Sequence, residues 1–280
     1  MLTILLALGA CLGWGVSDFL GGLKSRSLPL SSVLLVSQTI ALGLLAVIVV
    51  GRGSGLPDAA SLGQAAVAGL AETAGIAALY RGLAVGRMSI VAPVAATAPG
   101  VPLVAALMTG QVPGPLQFTG LALALVGLIV TSRPPKGHRG TGPGTLPSLG
   151  YGLLAALGFG TFFLTMHNAG ESDVGWALLT ARLAAVSVIA VVVLRRRHVR
   201  VPKAELPAIG AIGVLIVTAD SLYTTASTHG LVSIAAVLGS LHTLVTIALA
   251  RVVLKERIER PQQIGIALAL IGVLTLSATA

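Results

Sequence analysis

The sequence predicts an all-α integral membrane protein with ten transmembrane helices arranged as two inverted five-helix repeats. Three observations predict it. Of 280 residues, 55% are hydrophobic and only 10% are charged, against about 25% charged in soluble domains. The apolar stretches run for about 20 residues without strand-like alternation, which selects helices over a barrel. A basic, Gly- and Pro-rich stretch, Arg133 to Pro147, stands almost midway and divides two halves that resemble each other.

The first half, 1–132, holds five predicted spans at 2–22, 30–51, 61–82, 88–109 and 115–132. The linker 133–147 is too polar and too rich in Gly and Pro to cross a bilayer. The second half, 148–280, holds five more at 148–168, 174–194, 205–228, 231–250 and 261–279. Each span is long enough to cross a hydrocarbon layer of about 30 Å. Short connectors make sequential neighbours antiparallel and leave no room for a soluble domain. The lone Cys11 excludes an intrachain disulfide.

The two halves align. Leu12-Gly13-Trp14-Gly15 matches Leu157-Gly158-Phe159-Gly160 at an offset of 145 (157 − 12). Gln117 and the run Gly120 to Gly127 match Gln262 and the run Gly265 to Gly272 at the same offset. Between them, Tyr80 pairs with Tyr223 and Ser89-Ile90 with Ser233-Ile234, at offsets of 143 and 144. An odd number of spans per half makes the second enter the membrane in the opposite sense. Such inverted repeats suit secondary transporters, with a site near the midplane.

The net charge of +9 does not point to nucleic acid, because sixteen of the 18 Lys and Arg lie in the odd-numbered connectors or, as Arg81 does, at the span end beside one. The positive-inside rule then puts those connectors, the linker included, in the cytoplasm and both termini outside. The expected location is the inner cell membrane, multi-pass.

The second half ends in Arg251-Val-Val-Leu-Lys-Glu256-Arg257, then Gln262 and Gly265-Ile-Ala-Leu-Ala-Leu-Ile-Gly272. With the aromatic-Gly pair near the start of each half and the ten-span duplication, this ending resembles the EamA family of the drug/metabolite transporter superfamily. The resemblance covers nearly the whole chain. Gln111 stands where the family usually has Glu, and Lys255 replaces the usual Gly. The resemblance implies a membrane exporter of small metabolites, amino acids or drugs, often driven by proton exchange. It also implies cytoplasmic termini, opposite to the charge reading.

Ionisable groups inside a bilayer are costly and are candidates for function by default. Asp18 and Trp14 share a face of span 1. They suit cation or proton binding and stacking on solute; alternatively, Asp18 pairs with Lys24 or Arg26 at the interface. Glu72, deep in span 3, suits proton binding and release, or else is a structural carboxyl paired with Arg. Asp220 lies in span 8, the counterpart of span 3. Tyr80 can share a helix face with Glu72, and Tyr223 with Asp220. Arg182 in span 7 can hold a solute carboxylate or neutralise Glu72 or Asp220. His242 in span 9 suits proton relay or hydrogen-bonded packing. His167 and His229 fall near span ends. Pro93, Pro99 and Pro102 kink span 4 and suit a gate or a fixed bend. Gly9, Gly13, Gly15, Gly158 and Gly160 permit close helix approach.

The expected function is transport of a small organic solute by alternating access, with the proton as coupling ion. An organic-cation or multidrug exporter is the alternative, and a non-transporting scaffold or an intramembrane enzyme a third class. No phosphate loop, dinucleotide fingerprint, zinc motif or nucleophile elbow is present, so neither enzyme activity nor a cofactor nor a metal is expected. The expected partners are the solute, the lipid bilayer and the proton. One chain carries both halves, so a monomer suffices, with a dimer as the alternative.

Overall fold

The structure is a computed structural model that describes residues 2–24, 27–85, 91, 94–110, 113–131, 145–196, 201–253 and 259–277. Among these residues the only regular structure is helix. The helices of the first half are α1 (Leu2–Lys24), α2 (Leu30–Arg52), α3 (Ala59–Val85), α4 (Gly100–Met108) and α5 (Pro115–Thr131). Those of the second are α6 (Thr145–Gly170), α7 (Val174–Arg196), α8 (Leu206–Thr228), α9 (Val232–Ser240), α10 (His242–Val253) and α11 (Arg260–Ser277). α1, α2, α3, α6, α7 and α8 are apolar and long enough to cross a membrane, while the remaining helices are shorter.

Local chemistry sets several boundaries. α2 follows Pro29 and stops at Gly53, whose φ of 60° closes the helix on Val50 O. α3 starts at Asp58, whose carboxylate accepts from the backbone N–H groups of Ala60 and Ser61 at 2.9 and 3.0 Å. Asp173 caps α7 through the N–H of Trp176 at 2.9 Å. α6 begins at Thr145, three residues before the predicted span, because Pro147 fits the first turn of a helix. The linker from 132 to 144 lies outside the described residues.

Span 4 is interrupted among the prolines expected to kink it, and span 9 departs from the sequence expectation of a single helix. Residues 96–99 form turns before α4 begins, and Pro99 and Pro102 account for the bend. Pro93 lies outside the described residues. The second break, at Leu241 between α9 and α10, has no proline to mark it. It falls at the counterpart of Thr97 (241 − 97 = 144).

The helices pack mainly across the two halves. α3 lies along α6, α5 along α11, and α1 along α8. Each such pair maps onto itself or onto another under exchange of the halves. Glycine contacts show the same symmetry atom by atom. A Cβ on Gly13 would meet Ala219 Cβ at 2.8 Å, and one on Gly158 would meet Gly75 Cα at 2.7 Å. Gly13 and Gly158 differ by 145, and Gly75 and Ala219 by 144 (219 − 75). Likewise Gly15 faces His242 O at 2.8 Å and Gly160 faces Ala98 O at 2.7 Å. Gly127 sits against Gly265 O, and Gly272 against Gly120 O. These positions admit no side chain because backbones touch there, which is how helices associate in lipid.

The central register is therefore 144, so the counterpart of Tyr223 is Leu79 rather than Tyr80. The sequence pairing of the two tyrosines is one residue out.

Candidate functional site

Near the middle of the molecule α2, α3, α7 and α8 bring four polar side chains together. Arg182 on α7 is only 3% exposed. Its Nη2 donates to Asp220 Oδ2 on α8, and its Nη1 donates to Gln38 Oε1 on α2. Glu72 Oε2, on α3, lies 3.7 Å from Arg182 Nη1. The remaining donor, Arg182 Nε, is buried and has no acceptor among the described residues. Two carboxylates from equivalent helices of opposite halves thus share one guanidinium. Pairing with Asp220 and Glu72 offsets the cost of burying Arg182, which would otherwise be several kcal/mol.

Gln38 is not among the residues that the sequence singles out. It is the repeat counterpart of Arg182 (182 − 38 = 144). The two side chains meet where α2 and α7 cross and hydrogen-bond to each other. A signal for Gln38 is present in the sequence: extending the 144-residue offset to spans 2 and 7 places it opposite Arg182.

A cleft lies toward the end of α1 and the start of α2, where Gly21, Val33 and Leu34 line it. Its walls include Trp14, Ser17 and Asp18 from α1, Gln38 from α2, Glu72 from α3 and Ile216 from α8. Arg182 and Asp220 are not among its lining residues; they sit behind Gln38 and Glu72. Trp14 Nε1 donates to Asp220 Oδ1 at 2.8 Å, so the indole bridges the cleft wall and the buried cluster. Its ring contacts Tyr223, Phe162, Phe163 and His242, with centroids 5.5–6.4 Å apart.

The side chain of Asp18 is 49% exposed and lies 3.4 Å from His242 Nε2. The alternative pairing of Asp18 with Lys24 is not what forms. Lys24 Nζ reaches Glu205 Oε2 at 2.6 Å instead, and Arg26 lies outside the described residues. His242 stands at the first turn of α10, just after the break, where Nδ1 is 3.1 Å from Gly239 O. A carbonyl only accepts, so Nδ1 carries a proton in that contact.

The other sequence candidates are placed apart from the cleft. Tyr223 is fully buried, and its hydroxyl donates to Phe163 O at 2.9 Å. The side chain of Tyr80 lies outside the described residues. Pro99 and Pro102 belong to the turn and first residues of α4. His167 pairs with Glu171 at 3.9 Å, and His229 Nδ1 lies 2.8 Å from Thr225 O, both at helix ends.

The side opposite the cleft is closed by contacts between the halves. Arg52 meets Asp173 at 3.4 Å, Ser61 Oγ meets Ser172 Oγ at 2.6 Å, and Trp176 Nε1 donates to Ser54 O at 3.3 Å. Among the described residues no group of three His, Cys, Asp or Glu could hold a metal ion.

A family model described as the EamA-like transporter family matches residues 1–133 and, a second time, residues 146–278. A search of the curated proteins found no match. Among solved structures, one crystal structure superposes with a TM-score of 0.81 at 17% identity, over 99% of this chain and 97% of its own. At that identity the likeness concerns the fold alone.

Proposed function

The chain belongs to the EamA-like transporter family, and we propose that it is a proton-coupled secondary transporter that exports a small metabolite or amino acid by alternating access. The observation that carries this reading is the convergence of Glu72 and Asp220, one from each half, on the buried cation Arg182.

The coupling follows from charge balance. One guanidinium neutralises one carboxylate. The surplus negative charge is expensive in a low-dielectric interior. A proton on Glu72 or Asp220 removes that surplus, and so does a cationic group on the solute. The two therefore exclude each other, which is the condition for exchange. Glu72 faces the cleft while Asp220 is sealed behind it, so Glu72 is the group that meets proton and solute first. Gln38 and Trp14 hold Arg182 and Asp220 in place while Glu72 changes partner. On the charge reading of topology the cleft opens to the cytoplasm, where an exporter loads its cargo. A C-terminal reporter active on one side only tests that orientation, and a cytoplasmic C-terminus would reverse it.

The domain boundaries proposed are 1–132, the linker 133–147 and 148–280, located in the inner cell membrane. A second reading, an organic-cation exporter, is favoured by one observation: the cleft presents Asp18 and Glu72 but hides Arg182.

The test is a screen of metabolite and amino-acid export from overexpressing cells, followed by reconstitution of the protein with the exported solute. Glu72→Gln should abolish proton-coupled exchange while leaving the protein folded. Undiminished exchange would remove Glu72 from the mechanism. Inhibition by quaternary ammonium compounds but not by amino acids would favour the second reading.

A further inference from the structure

The repeat register, applied to the cleft, picks out a counterpart set of residues in the other half. Trp14, Ser17, Asp18 and Gly21 line the cleft from α1. At an offset of 145 their counterparts on α6 are Phe159, Phe162, Phe163 and Met166. On α2 the lining residues Leu34 and Gln38 map at 144 to Leu178 and Arg182 on α7. Ile76 maps to Asp220, while Glu72 and Ile216 map onto each other. The sets differ in exposure at their outer positions, where Asp18, Gly21 and Leu34 are at least partly exposed and Phe163, Met166 and Leu178 are buried; deeper in, Ser17 and Gln38 of the open cleft are themselves buried, at 2% and 4%. Asp18 is half exposed, whereas Phe163 is 5% exposed, Met166 1% and Leu178 3%. They also lie toward opposite sides, since α1 runs toward the open face and α6 away from it.

We infer that Phe162, Phe163, Met166, Leu178, Arg182 and Asp220 form the solute-binding wall of the opposite access state. We infer too that the solute carries a small cationic head on an apolar body. The inference rests on the transporter reading above and, of the two solute classes given there, takes the organic cation. Exchanging the conformations of two inverted repeats closes the present cleft and opens its counterpart. Glu72 lines both clefts because its counterpart, Ile216, also lines the open one. The two differ around it. The open cleft offers Asp18, Ser17 and Gln38, and the closed one offers two phenyl rings and a methionine beside Arg182 and Asp220. A solute that passes through both must satisfy a carboxylate in each and leave no polar body against the phenyl wall, where an unpaired polar group costs about 1–3 kcal/mol. Among the described residues, the contact of Ser61 with Ser172 is one that joins the halves on the far side.

The experiment uses single cysteines in a Cys11→Ala background in oriented membranes, probed with a membrane-impermeant maleimide. Gly21→Cys and Leu34→Cys should label from the linker side. Met166→Cys and Leu178→Cys should label from the termini side, at roughly 0.1–10% of the rate of an open position, the usual population of a minor state. Ala235→Cys, fully buried in α9, is the background control. Adding the pair Ser61→Cys and Ser172→Cys and oxidising it should abolish labelling at 166 and 178 only, with recovery on reduction. In an n-alkylamine series, protection of Met166→Cys should improve roughly fourfold per methylene.

Labelling at 166 and 178 no faster than at 235, in variants that melt like the parent, would overturn the second cleft. Protection independent of chain length would overturn the solute class. Neither result touches the Glu72→Gln exchange measurement, so the transporter reading stands or falls separately.

Discussion

α1 and α6 present the same glycines to their neighbours and opposite chemistry to the site. Gly13 and Gly158, then Gly15 and Gly160, meet equivalent backbone atoms of the opposite half. Beside them Trp14 and Asp18 stand where α6 has Phe159 and Phe163. α2 and α7 repeat the contrast, with Gln38 opposite Arg182. Positions that set helix approach have stayed alike because any side chain there collides with backbone. Positions that face the site differ, since no backbone contact there restricts the side chain. The difference separates the positions that set helix approach from those that line the candidate site.

The widest gap between paired positions is expected at the centre. Arg182→Met leaves Asp220 and Glu72 buried without their cation and should destabilise the protein by about 3–5 kcal/mol. Its counterpart Gln38→Met removes one acceptor from a guanidinium that keeps both carboxylates, and should cost about 1–3 kcal/mol. Denaturant unfolding in detergent reads both. Equal losses would mean that the two repeats share the burden of the charge cluster.

The glycines should behave in the opposite way. Gly13→Val and Gly158→Val should destabilise by similar amounts, each about 1–3 kcal/mol or more from overpacking. At Gly43 a methyl group would meet nothing within 4 Å, so Ala there should bring a gain of about 1 kcal/mol from helix propensity. A large difference between the first two would break the symmetry of the scaffold.

The contacts that join the halves at the two sides are weaker. Lys24→Ala removes a partly exposed bridge to Glu205, and thermal melts should show a loss of at most about 1 kcal/mol. The smallest effect is expected at Asp58. The Ser61 backbone N–H, the Ser61 hydroxyl and the Ala60 N–H hold its carboxyl below the usual Asp range. A lowered folded value means that its contribution is full above the ordinary value of about 3.9 and is lost as pH falls through the folded one. The melting difference between the protein and Asp58→Asn should therefore be flat from neutrality down to that range and change only below it.

Much of the fold is legible in the sequence because lipid permits few solutions. Hydropathy marks the spans, and the glycine runs of α5 and α11 betray the duplication. The break at Leu241 is not legible, since no proline marks it and only its counterpart at Thr97 explains it. Of the site, Glu72, Asp220, Arg182, Asp18 and Trp14 stand out as polar groups in apolar spans. The bond from Trp14 to Asp220 and the pair of Asp18 with His242 do not, because they join helices more than 200 residues apart in sequence. Gln38 escapes notice because a neutral amide in a span says little until its counterpart is known to be an arginine.

The most direct test of the central claim is solute-driven proton flux in proteoliposomes, followed with a pH-sensitive dye. The account predicts flux with the parent protein. It predicts that flux vanishes with Glu72→Gln, while thermal stability persists. Proton flux that continues undiminished in a folded Glu72→Gln protein would contradict it.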